Sequence, residues 1–148
     1  MEIAELLSED RIVLGLRVRD KRSLIAELAR LIAPHTVGVS ATEIERALLM
    51  REQLGSTGLG SGFALPHARL GGLAAFVGLF VRLARPVDFD AIDDKPVDTV
   101  FVLLIPDSTA DHVAVLAAIT RRFRDADLRA AVRSAATPAE IARILTQR

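Results

Sequence analysis

Ala75-Phe76-Val77-Gly78-Leu79-Phe80-Val81-Arg82-Leu83 and Asp98-Thr99-Val100-Phe101-Val102-Leu103-Leu104-Ile105 decide the fold class. Neither run has the polar alternation of a strand with one face in water, and the first is bounded by Gly72 and Pro86. Short, nearly unbroken apolar runs describe strands buried on both faces. A sheet of such strands needs a covering layer on each side. The segments around the runs supply helices for those layers.

Ile3, Leu6 and Leu7 predict one helical turn, and Ile12 to Val18 a first strand. Asp20 is placed to cap a helix running to about Ala33, with Leu24, Ile25, Leu28, Leu31 and Ile32 on one face and Pro34 as its stop. Ser40-Ala41-Thr42-Glu43 reads as a capping box that opens a helix ending near Arg51. Pro86 to Pro96 is an acidic connection, read as a solvated loop; its carboxylates lack the spacing of a calcium loop. After Pro106 a helical stripe is expected through Val113, Leu116, Ala117, Thr120 and Phe123. Arg121, Arg122, Arg124, Arg129 and Arg133 follow, and they read either as a solvated face or as a docking surface. Thr137-Pro138-Ala139-Glu140 predicts a second capping box and a last helix facing inward with Ile141, Ile144 and Leu145. The pattern is α/β, a sheet with helices on both faces.

Composition narrows the function. The chain has 148 residues, 51% of them hydrophobic, and zero formal net charge, which fits one compact domain. Zero net charge argues against a dedicated nucleic-acid binder. Seventeen of the nineteen basic residues are arginine, for which genome composition is a sufficient cause. Without cysteine there is no disulfide, thiolate nucleophile or cysteine metal site. The longest charge-free apolar run, Leu70 to Val81, is too short to span a bilayer, and the first residues lack the pattern of a secretory signal. A soluble cytoplasmic protein is expected.

The chemistry is concentrated in Gly55-Ser56-Thr57-Gly58-Leu59-Gly60-Ser61-Gly62-Phe63-Ala64-Leu65-Pro66-His67-Ala68-Arg69, where four of the nine glycines fall within eight residues. Such a run is expected to form a loop whose bare N–H groups hold an anion. Phe63-Ala64-Leu65 is a short strand candidate, and Pro66 should send His67 off its end in a fixed direction. The spacing is not that of a P-loop or a dinucleotide fingerprint, and neither Gly-x-Ser-x-Gly nor His-Glu-x-x-His occurs. His35, His67 and His112 are far apart in sequence, so neither a metal nor a cofactor is expected. What remains is a histidine nucleophile, since a neutral imidazole offers a lone pair at neutral pH. Phosphorus is its natural electrophile, because phosphoryl transfer asks chiefly for positioning and for donors to three oxygens. Arg51, before the loop, and His112, opening a helix after a buried strand, are the candidates to assist His67. His35 is read as incidental.

Met50-Arg51-Glu52, Gly55-Ser56-Thr57-Gly58-Leu59-Gly60 and Ala64-Leu65-Pro66-His67 together resemble the signature of the IIA domains of the fructose/mannitol class of the bacterial phosphoenolpyruvate-dependent phosphotransferase system. Pro86 to Asp93, Lys95-Pro96-Val97-Asp98 and Asp111-His112 resemble its nitrogen-regulatory branch, so the likeness covers nearly the whole chain. It implies a mixed β-sheet flanked by helices, and a single phosphotransferase IIA type-2 domain over residues 1–148. It also implies that His67 is the phosphoacceptor, bordered by Arg51 and His112, and that the donor is a histidine phosphocarrier protein. Downstream it implies regulatory partners, among them potassium transport and sensor kinase systems, with no nucleic acid and no membrane insertion. The alternatives are a IIA component serving sugar uptake, a purely protein-binding module, and an anion-binding domain without transfer. The pattern departs from the family at Ala68-Arg69, where Gly-Lys is common; a methyl group there limits positive φ and close backbone approach.

Overall fold

The computed structural model describes residues 2–147. The described elements are α1 (Ile3–Leu6), β1 (Ile12–Leu16), α2 (Lys21–Ile32), α3 (Ala41–Gln53), β2 (Gly58–Gly60), β3 (Phe63–Ala64), β4 (His67–Leu70), β5 (Val77–Val87), β6 (Val97–Pro106), α4 (His112–Phe123), α5 (Ala126–Ser134) and α6 (Pro138–Thr146). The sheet runs β1-β5-β6-β3-β2, and β4 also pairs with β6. It is mixed: β1 lies parallel to β5, β5 antiparallel to β6, and β3 and β4 both parallel to β6. No helix among the described residues is long and apolar enough to cross a membrane.

The two apolar runs are the central strands, and their side chains alternate between two separate cores. Val77, Leu79, Val81 and Leu83 of β5, with Val100, Val102 and Leu104 of β6, pack against α2 and α3. Phe80, Phe101, Leu103 and Ile105 face α1, α4, α5 and α6. Burying each large side chain contributes about 1.5–3 kcal/mol, so both strands are held from both sides. On the second face Phe63 stacks on Phe123 of α4 with ring centroids 4.1 Å apart.

The helix starts follow their caps. Asp20 accepts from the Ser23 N–H, and Ser40 and Glu43 form the expected reciprocal box. Thr137 caps Glu140, but the Glu140 carboxylate reaches the Ala136 N–H rather than the Thr137 N–H, so the second box is displaced by one residue.

Several boundaries and faces differ from expectation. β5 continues through Pro86 to Val87 because its ladder with β6 is irregular between Arg82 and Val87, so the missing proline N–H leaves no bond broken. β1 ends at Leu16, after a break in register at Gly15, which has φ +77°. In α4 the buried stripe is Val115, Ile119 and Phe123, while Val113 is 66% exposed. The stripe expected through Val113, Leu116, Ala117 and Thr120 is replaced by Val115 and Ile119, which pack against β6, and only Phe123 is common to both. The arginine series is largely structural: Arg122 donates to the Ile144 carbonyl, Arg129 to those of Phe123 and Arg124, and Arg133 to Asp98. Arg122 and Arg129 thereby satisfy carbonyls that helix ends leave open, and Arg133 pairs with a carboxylate of β6.

The glycine run builds a β2–β3 hairpin. At Gly58 an added Cβ would stand 2.8 Å from the Ala91 Cβ and 2.9 Å from its Cα, because the segment after β5 crosses here against bare backbone. Gly58→Ala is therefore expected to cost about 1–3 kcal/mol, as overpacked cores do. Urea denaturation measures it, and a variant as stable as the parent would show that the contact relaxes without cost.

Candidate functional site

His67 stands just after a break in the strand that flanks β6 on the side away from β5. β3 and β4 are two pieces of one strand alongside β6, separated by Leu65 and Pro66. The Pro66 carbonyl accepts from the Leu103 N–H at 3.0 Å and keeps the two pieces in line. Leu65 turns its N–H away, to the Thr57 carbonyl at 2.9 Å. The histidine therefore does not leave a strand end, as expected, but is the first residue of β4, in register with Leu103. Its neighbour Ala68 is buried among the α2 and α3 side chains, in a strand conformation that accommodates a methyl group. The departure at this position leaves the backbone regular.

The same segment also orients the ring. His67 Nδ1 lies 2.8 Å from the Leu65 carbonyl oxygen, which can only accept, so Nδ1 carries the proton and Nε2 the lone pair. Arg51, in the last turn of α3, places its Nε 3.3 Å from His67 Nε2 and donates from Nη1 to the Gly55 carbonyl at 2.9 Å. Burial holds the imidazole below its ordinary value of 6.5; the Leu65 bond and Glu52 oppose this, and Arg51 and His112 add to it. The ring is neutral at pH 7, with a nucleophilic nitrogen facing a cation.

His112 is the first residue of α4, and Arg69 of β4 reaches it with Nη2 2.5 Å from His112 Nδ1 and 3.4 Å from the Thr109 carbonyl. His67, Arg51, His112 and Arg69 line one cleft of about 540 Å³, whose remaining wall is largely apolar and includes Met50, Leu54, Ile105 and Leu116. At its rim Met50 is 62% and Leu54 84% exposed. The structure thus brings together the three residues singled out in the sequence and adds Arg69. His35 lies elsewhere, 3.9 Å from Asp10. Among the described residues no three histidine or carboxylate side chains are grouped to hold a metal.

The glycines do not form the anion cradle expected of them. None of Gly55, Gly58, Gly60 and Gly62 lines the cleft. The N–H of Thr57 is taken by Glu52, that of Gly58 by the Ser56 hydroxyl and that of Ser61 by Asp93. Donors to an anion beside His67 come from side chains instead. Glu52 was also missed as an internal group, although a signal existed: with Ile44 and Leu48 it continues the buried stripe of α3 at intervals of four, and a carboxylate on such a stripe requires a buried partner.

The family model described as phosphoenolpyruvate-dependent sugar phosphotransferase system, EIIA 2, matches residues 5–148. The nitrogen regulatory protein of Bradyrhizobium diazoefficiens is 43% identical over 129 residues, which is 86% of this chain and 84% of that protein. That of Pseudomonas aeruginosa is 37% identical over 138 residues, 93% of this chain and 90% of its own. Among solved structures, nitrogen regulatory protein IIA-Ntr from Neisseria meningitidis superposes with a TM-score of 0.92 at 37% identity, covering 97% of this chain and 99% of that one. The mannitol IIA of Escherichia coli, at 21% identity and a TM-score of 0.78 over 94% of this chain and 98% of its own, has the same fold.

The tautomer and the pKa are directly measurable. In a long-range ¹H–¹⁵N NMR titration His67 is expected to titrate below 6.5 and to hold its proton on Nδ1 when neutral. Titration at or above 6.5, or an Nε2–H tautomer, would contradict the ring environment described here.

Proposed function

Because the chain belongs to the EIIA 2 family of the phosphoenolpyruvate-dependent phosphotransferase system, within the branch of nitrogen regulatory proteins, we propose that His67 accepts a phosphoryl group on Nε2 from a histidine phosphocarrier protein. The observation that carries this reading is the Nδ1–Leu65 hydrogen bond, which leaves Nε2 as the free nucleophile toward the cleft.

The step is a displacement at phosphorus. The Nε2 lone pair forms the new N–P bond as the bond to the donor's imidazole nitrogen breaks, and that nitrogen keeps the electron pair. Positive charge developing on the His67 ring is stabilised through Nδ1–H by the Leu65 carbonyl. Arg51 moves from Nε2 onto the incoming oxygens; its Nη2 has no partner among the described residues and is free to donate. His112, held by Arg69, stands as a further donor from the opposite wall. The phosphorylated group is anionic, so it changes the charge of a cleft with an exposed apolar rim. A regulatory partner that docks on this rim would read that change. Potassium transport and sensor kinase systems are the downstream classes proposed.

Incubation with phosphoenolpyruvate, enzyme I and the carrier protein is expected to place an acid-labile, base-stable phosphate on His67, with none on His67→Ala. Wild-type labelling of His67→Ala would sink the assignment. Arg51→Met is expected to slow uptake about 10²–10³-fold, the usual effect of removing a donor to transferring oxygens. The uptake rate should be independent of pH on the alkaline side and fall only below pH 6.5, since the depressed pKa delays protonation of Nε2. An acid limb centred above 6.5 would place the reacting group elsewhere.

A further inference from the structure

Glu52 lies beneath the cleft with its side chain 6% exposed, a position that demands partners for a charged group. It has them. Oε1 accepts from the Thr57 N–H at 3.0 Å and from the Thr57 hydroxyl, and Oε2 is 2.8 Å from Lys21 Nζ. Lys21 is in turn fixed 4.6 Å above the centre of the Phe89 ring. Thr57, itself 2% exposed, is therefore clamped from below.

Thr57 stands where two arms of the site diverge. Through its carbonyl it holds the Leu65 N–H at 2.9 Å, and the Leu65 carbonyl holds His67 Nδ1 at 2.8 Å. Two residues earlier in the same turn, the Gly55 carbonyl holds Arg51 Nη1 at 2.9 Å. The two arms end on atoms that face each other, His67 Nε2 and Arg51 Nε, at 3.3 Å.

We propose that Glu52 is a positioning residue for phosphoryl transfer: by clamping Thr57 it fixes the orientation of the His67 ring and the aim of Arg51 together. This rests on the reading of His67 as phosphoacceptor. Glu52 touches neither the ring nor the cleft, and acts through the Thr57 turn. Lys21 neutralises it so that a carboxylate can occupy this depth, which makes the turn rigid where a hydrated loop would not be.

The test measures single-turnover uptake from the phosphorylated carrier protein together with the His67 tautomer by ¹⁵N NMR. Glu52→Ala is expected to slow uptake at saturating donor about tenfold to a hundredfold, the usual cost of misplacing a catalytic group by about 1 Å. The half-saturating donor concentration should not move, because Met50 and Leu54 at the rim are untouched. The neutral ring should lose its preference for Nδ1–H. Glu52→Gln keeps an oxygen toward Thr57 and is expected to recover most of the lost rate. Combined with Arg51→Met, Glu52→Ala should slow uptake by a smaller factor than it does alone.

Equal factors in the two backgrounds, an unchanged tautomer, or a Glu52→Gln rate as low as that of Glu52→Ala would each overturn the proposal. If Glu52→Ala does not fold, Glu52→Asp replaces it. One methylene shorter, it cannot reach Thr57 and Lys21 at once, and a wild-type rate for it would equally overturn the proposal. A wild-type protein that takes no label on His67 defeats the phosphoacceptor reading instead, and the tautomer measurement then decides the role of Glu52 by itself.

Discussion

A proline has no N–H to give to a strand ladder, and at Pro66, beside β6, that deficit marks where β3 gives way to β4 and the cleft begins. The strand beside β6 is interrupted for two residues, Leu65 and Pro66, and resumes at His67. Because the Pro66 carbonyl still bonds to β6, the interruption does not let the strand drift. Leu65 faces away from β6, as alternation along a strand requires, and beyond its N–H bond to Thr57 its carbonyl receives the His67 ring instead of a neighbouring strand. One short segment of backbone, Leu65 and Pro66, thus supplies both the position of the imidazole and its tautomer.

Around this point the two faces of the sheet have different tasks. The α2 and α3 face delivers Arg51 from the end of α3, and Glu52 and Lys21 beneath it. The α4 face delivers His112 at the start of its helix, bound by Arg69 from β4. Arg51 and His112 could not both be held by one layer, since they approach His67 from opposite sides of β4. The site therefore depends on β5 and β6 being buried on both faces, the property that the two apolar runs express.

Burial of the imidazole and its hydrogen bond act together on reactivity. Removal from water favours the neutral ring, and the cation of Arg51 favours it further. The Leu65 carbonyl acts in the opposite sense, and so would stabilise the positive charge that the proposed bond from Nε2 to phosphorus places on the ring. A neutral ring and support for the charge of the proposed product are compatible because the Arg51 cation faces Nε2 while the Leu65 carbonyl faces Nδ1. The exposed Met50 and Leu54 side chains give the cleft an apolar rim.

Local rules sufficed for much of this. Apolar runs at Ala75 to Leu83 and Asp98 to Ile105 and caps at Asp20, Ser40 and Thr137 were legible from residue order, because each follows from short-range sterics or a compact motif; that Arg51 and His112 border His67 was an expectation that rested on the family resemblance. The α4 stripe was not legible, since Val113 and Val115 satisfy the same helical period and only contact with β6 separates them. Nor was the use of the glycines, which serve close packing at Ala91 and a tight hairpin, while arginine and histidine side chains supply the donors at the cleft. The strand character of His67, the link from Arg69 to His112 and the route from Glu52 through Thr57 to the ring needed the tertiary structure. Each joins groups on different elements, and a hydrogen bond between such groups exists only once packing has set their separation.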